Sequence, residues 1–282
     1  MSALHRVAFW ACVAFLALLV LAALAPTLLW PLDPLSTGPA FLPPGPEHPF
    51  GTDQSGRDVL ARVLAGARIS LAVGFGATAA ALLLGTIVGT ASGFAGRGVD
   101  GVLTKAIEVV TAFPEFLLAL VVIAIIGPGP VGVAVAIGIA AVPAYARVSR
   151  ASTLVARRGG AVLAARALGV HPVRIATSHV VPAVLGPVAA MATIGVGMAI
   201  VTAAGLGFLG LGAAPPTPEW GLILGEGRNH LGRGWWISLF PGLAITATVV
   251  ATSVVGRRLR RGGGTAAPRA LPQPQHGLAV QL

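Results

Sequence analysis

Ala161-Val162-Leu163-Ala164-Ala165-Arg166-Ala167-Leu168-Gly169 stands in a basic segment between two apolar runs, 131–146 and 183–206. Alanine, leucine and arginine are strong helix formers. Gly169 falls where a left-handed residue closes a helix. His171-Pro172 follows, and proline suits the first position of a new helix. The pattern predicts a helix, a tight break, a second helix, and then Pro182 opening the next apolar run. A helix this short and alanine-rich has little to bury by itself. It is expected to project from a membrane protein toward a soluble partner, the other reading being an amphipathic loop lying on anionic lipid.

Working outward, the composition agrees with a membrane setting. Of 282 residues, 55% are hydrophobic and 10% charged, and mean hydropathy is +0.86. Ordinary soluble domains carry about 25% charge, and a span needs about 20 apolar residues. Six spans are expected, at 7–29, 69–92, 106–126, 131–146, 183–206 and 236–256, the fourth short and Gly-rich. Helices are the form that satisfies the backbone in lipid over runs of this length. The expected fold is therefore all-α and polytopic. Residues 1–66 are read as a first helix with a polar segment, 67–256 as the main membrane domain with a loop at 147–181, and 257–282 as a basic, disordered tail. Ala23-Leu24-Ala25 resembles a cleavage site, but the apolar run exceeds the roughly 7–15 residues of a secretory signal core, which favours a retained anchor.

Charge gives orientation. Placing the N-terminus inside leaves only Arg57, Arg62, Arg68, Arg228 and Arg233, of 19 Lys and Arg, in outer segments. Six of nine acids (Asp33, Glu47, Asp53, Asp58, Glu219 and Glu226) fall outside. This is the positive-inside pattern, with both termini inside. It accounts for the net charge of +10 without nucleic acid. Trp30, Trp220, Trp235 and Trp236 punctuate the two long outer segments, as expected near an interface. Gly85, Gly89 and Gly93 form a small-xxx-small ladder, read as close packing inside one bundle.

Catalytic and cofactor signatures are weak. Gly205-Leu206-Gly207-Phe208-Leu209-Gly210 matches GxGxxG, yet it follows a span rather than a strand and runs into Pro215-Pro216, against a nucleotide site. Lys105 is the single lysine and follows Thr104, so no P-loop is present. Cys12 is the single cysteine, which excludes an intrachain disulfide and any cysteine-based zinc site. His48, His171, His179 and His230 are scattered, and neither a metal nor a cofactor is expected. Glu108 and Glu115 lie seven apart in the third apolar run. Intramembrane carboxylates are functional candidates; Glu115 is read as lining a pathway or as making a structural pair. Asp53, Arg57 and Asp58 read as a solvated loop with Asp-supported turns.

Several stretches together resemble a family. Ala164-Ala165-Arg166-Ala167-Leu168-Gly169, with Pro182 thirteen residues beyond the glycine, resembles the "EAA" loop of binding-protein-dependent ABC importer permeases. His48-Pro49-Phe50-Gly51-Thr52-Asp53-Gln54-Ser55-Gly56-Arg57-Asp58, Gly66-Ala67-Arg68-Ile69-Ser70-Leu71, Pro143-Ala144-Tyr145-Ala146-Arg147, Phe208-Leu209-Gly210-Leu211-Gly212 and Pro215-Pro216-Thr217-Pro218-Glu219-Trp220-Gly221 agree in order and spacing. The resemblance is to the C-type permease of dipeptide, oligopeptide and nickel importers and covers residues 48–256. It implies a type I importer permease fold, a second homologous permease, two cytoplasmic ATP-binding subunits and an extracytoplasmic solute-binding protein docking near Asp53, Arg57 and Asp58. It also implies that Leu163, Ala164, Ala165, Arg166, Ala167, Leu168, Gly169 and Pro182 couple the chain to the ATPase. Leu163 departs from the acidic residue that often opens the motif. The rival reading, a stand-alone ion-coupled secondary transporter, predicts ionisable residues in several spans and repeated halves. Here Glu108 and Glu115 share one span.

Overall fold

The computed structural model describes residues 3–262, with side-chain surroundings for 6–258. Helix α1 covers Ala3–Leu24 and α2 covers Val59–Phe94; α3 (Arg97–Thr111) and α4 (Glu115–Ile126) follow, then α5 (Pro130–Arg157) and the short α6 (Gly160–Ala167). Helix α7 runs through Pro172–Phe208, followed by α8 (Trp220–Gly227) and α9 (Trp236–Gly262). Five of these helices are long and apolar enough to cross a membrane, six if the bent pair α3–α4 counts as one. Among the described residues there is no named strand, only an isolated bridge between Thr52 and Asp58.

The third span departs from expectation. Instead of one rod over 106–126, α3 and α4 meet at a 92° bend. Pro114 causes it: proline has no N–H to continue a helix and pushes the preceding residue out of the helical region. Pro114 has φ −56° and ψ 131° and precedes α4 as its N-cap. The 12 residues of α4 rise about 18 Å at 1.5 Å per residue, short of a hydrocarbon core of about 30 Å. Glu108 and Glu115 consequently lie on two differently directed helices rather than one face.

Other boundaries move for local reasons. The first helix ends at Leu24, where Pro26 starts a separate turn, Pro26–Leu29. Residues 66 and 67 both lie inside α2. The fifth span begins at Pro172 rather than Pro182, because a π-helical turn, Ala176–Val180, carries the chain into the proline without a break. A π turn relaxes the backbone pairing where proline has no N–H to offer. The loop expected at 147–181 is thereby shortened, its first part in α5 and its last in α7. Helix α9 continues through Gly262, so residues 257–262 belong to a helix; the rest of the expected tail, 263–282, lies outside the described residues.

Three packed tiers run along the bundle. At one end Leu19, Val59, Val63, Trp220, Ile223, Trp236 and Ile237 cluster. The middle tier includes Val73, Ala77, Ala119, Ile123, Ile137 and Leu206. At the other end, called here the loop end, Ala81, Tyr145, Val162, Ala165, Ile175 and Val184 form one body. Helices α2 and α5 make the most extensive pairing in the molecule. The glycine ladder explains their closeness: a Cβ at Gly85 would strike Tyr145, one at Gly89 the Ala146 carbonyl, and one at Gly93 the Thr153 side chain. Ile125 and Val131, on the outside, remain 81% and 76% exposed.

Candidate functional site: loop helix, cavity and buried ion network

At the loop end, α6 closes as the sequence predicts. Gly169 adopts φ +72°. Val170 N–H donates to the Ala165 carbonyl at 3.0 Å and Gly169 N–H to that of Arg166 at 3.0 Å, the paired bonds of a Schellman ending. Val162 and Ala165 point inward at 3% and 8% exposure, while Leu163 and Leu168 stand out at 54% and 82%. Ala164, Arg166, Ala167 and Gly169 are exposed with them. One side of α6 is therefore fastened to the bundle and the other offers two leucines and an arginine. Beside it, Arg150 donates two hydrogen bonds to Asp100, at 2.6 and 2.7 Å, and Ser92 a third at 2.6 Å. These donors hold the Asp100 carboxyl well below the usual carboxylate range,. The clamp joins α2, α3 and α5.

Above the loop end a cavity of about 980 Å³ opens between α2, α5 and α7, with the start of α4 at its margin. Its wall is mainly Ala, Ile, Val, Met, Gly and Pro. Glu115 is on this wall and solvent-exposed. Thr78 and Tyr145 are also on it, buried at 6% and 3%. Pro182, expected with the loop, is exposed and also lines the cavity. Tyr145 belongs both to this wall and to the packed tier that holds Val162 and Ala165.

At the opposite end the picture of a solvated loop is corrected. Asp53, Arg57 and Asp58 are 0%, 6% and 2% exposed. Asp53 does support turns, accepting from Ser55 N–H and Arg57 N–H at 2.8 and 2.9 Å. Its other oxygen receives Arg57 Nε at 2.8 Å and Arg62 Nη1. Arg62, wholly buried in α2, also donates to Glu226 of α8 at 2.8 Å. Asp58 caps α2 through Ala61 N–H at 2.7 Å and meets His48 at 2.7 Å. Removing one partner from a buried pair costs about 3–5 kcal/mol, because the other charge is left unpaired. The three residues thus shape the segment from within.

Arg62 and Glu226 escaped the sequence reading because they are 164 positions apart; the available signal was an arginine on the apolar side of a helix start. Glu219 was likewise counted only as an outer charge. It is buried, caps α8 through Gly221 and Leu222 N–H at 2.7 and 2.8 Å, and its carboxyl is pushed above the ordinary range by burial. Trp220 and Trp236 are staples rather than interface markers, donating to the Val63 and Thr52 carbonyls at 2.8 and 3.0 Å. Of the GxGxxG glycines, Gly207 serves packing, since a Cβ there would meet Glu219, while Gly210 closes the helix at φ +82°.

Comparison with known proteins fits this arrangement. The family model described as "Binding-protein-dependent transport system inner membrane component" matches residues 83–262. The dipeptide transport system permease of Alkalihalophilus pseudofirmus is 42% identical over 77% of this chain and 71% of its own length. The di/tripeptide permease of Pseudomonas aeruginosa is 37% identical over 87% of this chain and 84% of its own. A glutathione transport permease of Pectobacterium atrosepticum is 38% identical over 81% and 74%. Among solved structures, an inward-facing form of the MetNI methionine ABC transporter superposes with TM-score 0.60, covering 72% of this chain and 97% of that one at 19% identity. At that identity the likeness concerns the fold.

Proposed function

Because the chain belongs to the family of binding-protein-dependent transport system inner membrane components, we propose that it forms half of the translocation channel of an ATP-driven peptide importer. A second homologous permease completes the channel, two cytoplasmic ATP-binding subunits drive it, and an extracytoplasmic solute-binding protein delivers di- or oligopeptides. The names of the dipeptide and di/tripeptide permeases support that solute class. The chain itself is a non-catalytic subunit, in keeping with the lack of a P-loop in its sequence. Both termini and α6 face the cytoplasm, supported by the inward bias of Arg and Lys.

One observation carries the mechanism: Val162 and Ala165 of α6 share a packed cluster with Tyr145 of the cavity wall. ATP binding draws the two ATPases together, and their surface carries the exposed side of α6, with Leu163, Ala164, Arg166, Ala167 and Leu168, along with it. Close-packed interiors transmit displacement rather than absorb it. The movement reaches α5 and α7 and alternates the cavity between inward- and outward-open states. Leu163 gives this docking an apolar contact where relatives often place a carboxylate. At the far end, the segment shaped from within by Asp53, Arg57 and Asp58 receives the binding protein through its exposed residues. Glu115 lines the pathway.

Reconstitution tests the proposal. Proteoliposomes holding both permeases and both ATPases are expected to accumulate labelled dialanine only with ATP and the binding protein present. Uptake driven by a proton or sodium gradient without the ATPases would instead establish the ion-coupled alternative.

A further inference from the structure

We propose that Glu115, Thr78 and Tyr145 form a recognition site for a protonated amine on the solute in transit, an assignment that rests on the peptide-import reading above. Three observations meet at the cavity. Glu115 is the only charged residue on its wall among the described residues. Thr78 and Tyr145 are more than nine-tenths buried, and neither hydroxyl oxygen has a hydrogen-bond partner. Of the buried hydroxyls left in that state, these two are the ones that line the cavity. Gly195 of α7 makes room for the phenol, since a Cβ there would collide with the Tyr145 oxygen.

Native interiors leave few polar groups unmatched, because a buried group without a bond is unfavourable. Two such hydroxyls on the same cavity wall as a carboxylate, among otherwise apolar residues, match one chemistry. An ammonium brings three donors and no acceptor; a carboxylate and two hydroxyl oxygens can take all three and balance the charge. A peptide α-amine, with a pKa of about 7.7–8.0, is mostly protonated at neutral pH. The same wall repels a carboxylate, since it carries no Arg, Lys or His. The site therefore takes the amino end of a zwitterionic solute, and the carboxyl end is left for another surface of the channel.

The test uses the complete permease–ATPase complex in detergent without the binding protein, so that the latter's selectivity plays no part. Dialanine and N-acetyl-dialanine are the probes, and the melting temperature of the complex is the readout. Dialanine is expected to raise it, and N-acetyl-dialanine to leave it unchanged. Glu115→Gln should abolish the response. Tyr145→Phe and Thr78→Val should each weaken apparent dialanine affinity at least fivefold, while the ligand-free melting temperature stays at or above wild type. A purely structural role of either hydroxyl predicts the reverse, a lowered ligand-free melting temperature with dialanine affinity unchanged. If Glu115→Gln does not assemble, the Tyr145→Phe and Thr78→Val pair decides. Equal responses to the two probes, no response to dialanine, or unaltered affinity in the variants overturns the assignment. In any of those events, dialanine import by wild-type proteoliposomes under ATP with the binding protein leaves the importer reading standing while the amine-site assignment falls; absence of that uptake counts against the reading itself.

Discussion

Gly169 is the residue at which local conformation meets the proposed coupling. Its φ of +72° lies in the left-handed region, which costs an ordinary L-residue about 1–2 kcal/mol and a β-branched one more. Nothing lies within 4 Å of the place a Cβ would take, so the penalty is conformational rather than a clash. Gly169→Val should loosen the Schellman ending and tilt α6, leaving insertion intact. In reconstituted complexes, dialanine uptake is expected to fall at least tenfold while ATP hydrolysis continues; wild-type coupling in this variant would count against transmission through α6. The sequence showed this glycine clearly because a helix ending is a local event. Asp53, Arg57 and Asp58 were opaque by comparison. A polar loop and a buried ion network have the same composition, and only the approach of Arg62 and Glu226 distinguishes them.

At the scale of elements, the pairing of α2 with α5 organises the bundle. Gly85, Gly89 and Gly93 let the two backbones approach where lipid offers no hydrophobic drive for association. Gly89→Leu is expected to force them apart at an overpacking cost of about 1–3 kcal/mol. A lowered melting temperature and loss of a monodisperse complex in detergent would register it. Unchanged stability would mean that the helices are not held by close approach. Hydropathy located these helices because runs of apolar residues are what lipid demands. It misplaced their ends because a span does not stop where its apolar residues do. The 36 residues of α2 continue about 24 Å beyond what a bilayer core of about 30 Å requires. The kink at Pro114 was written in the chain, but its 92° angle depends on α4 packing against α5 through Ala119 and Ile123.

At the scale of the whole molecule, the family and the fold make this a multi-pass inner membrane protein. Orientation is open to direct measurement in a Cys12→Ala background. An Ala164→Cys thiol should react with a membrane-impermeant maleimide only after permeabilisation, whereas Glu47→Cys should react in intact spheroplasts. Both positions are exposed in this chain, and expressing it without the ATPases keeps position 164 uncovered. Labelling of position 164 from outside would invert the molecule and remove the proposed route for ATP-driven movement.

What the amino-acid order determined alone was the membrane class, the helical content, the charge asymmetry on which the proposed orientation rests, and the closed turn after α6. Each depends on composition or on residues a few positions apart. The tertiary structure decided that Asp53, Arg57 and Asp58 face inward, that Pro182 lines the cavity, and that Tyr145 joins that cavity to the loop helix. Those outcomes need groups distant in sequence to arrive at one place, and burial together with hydrogen-bond satisfaction is a property of that place rather than of any segment.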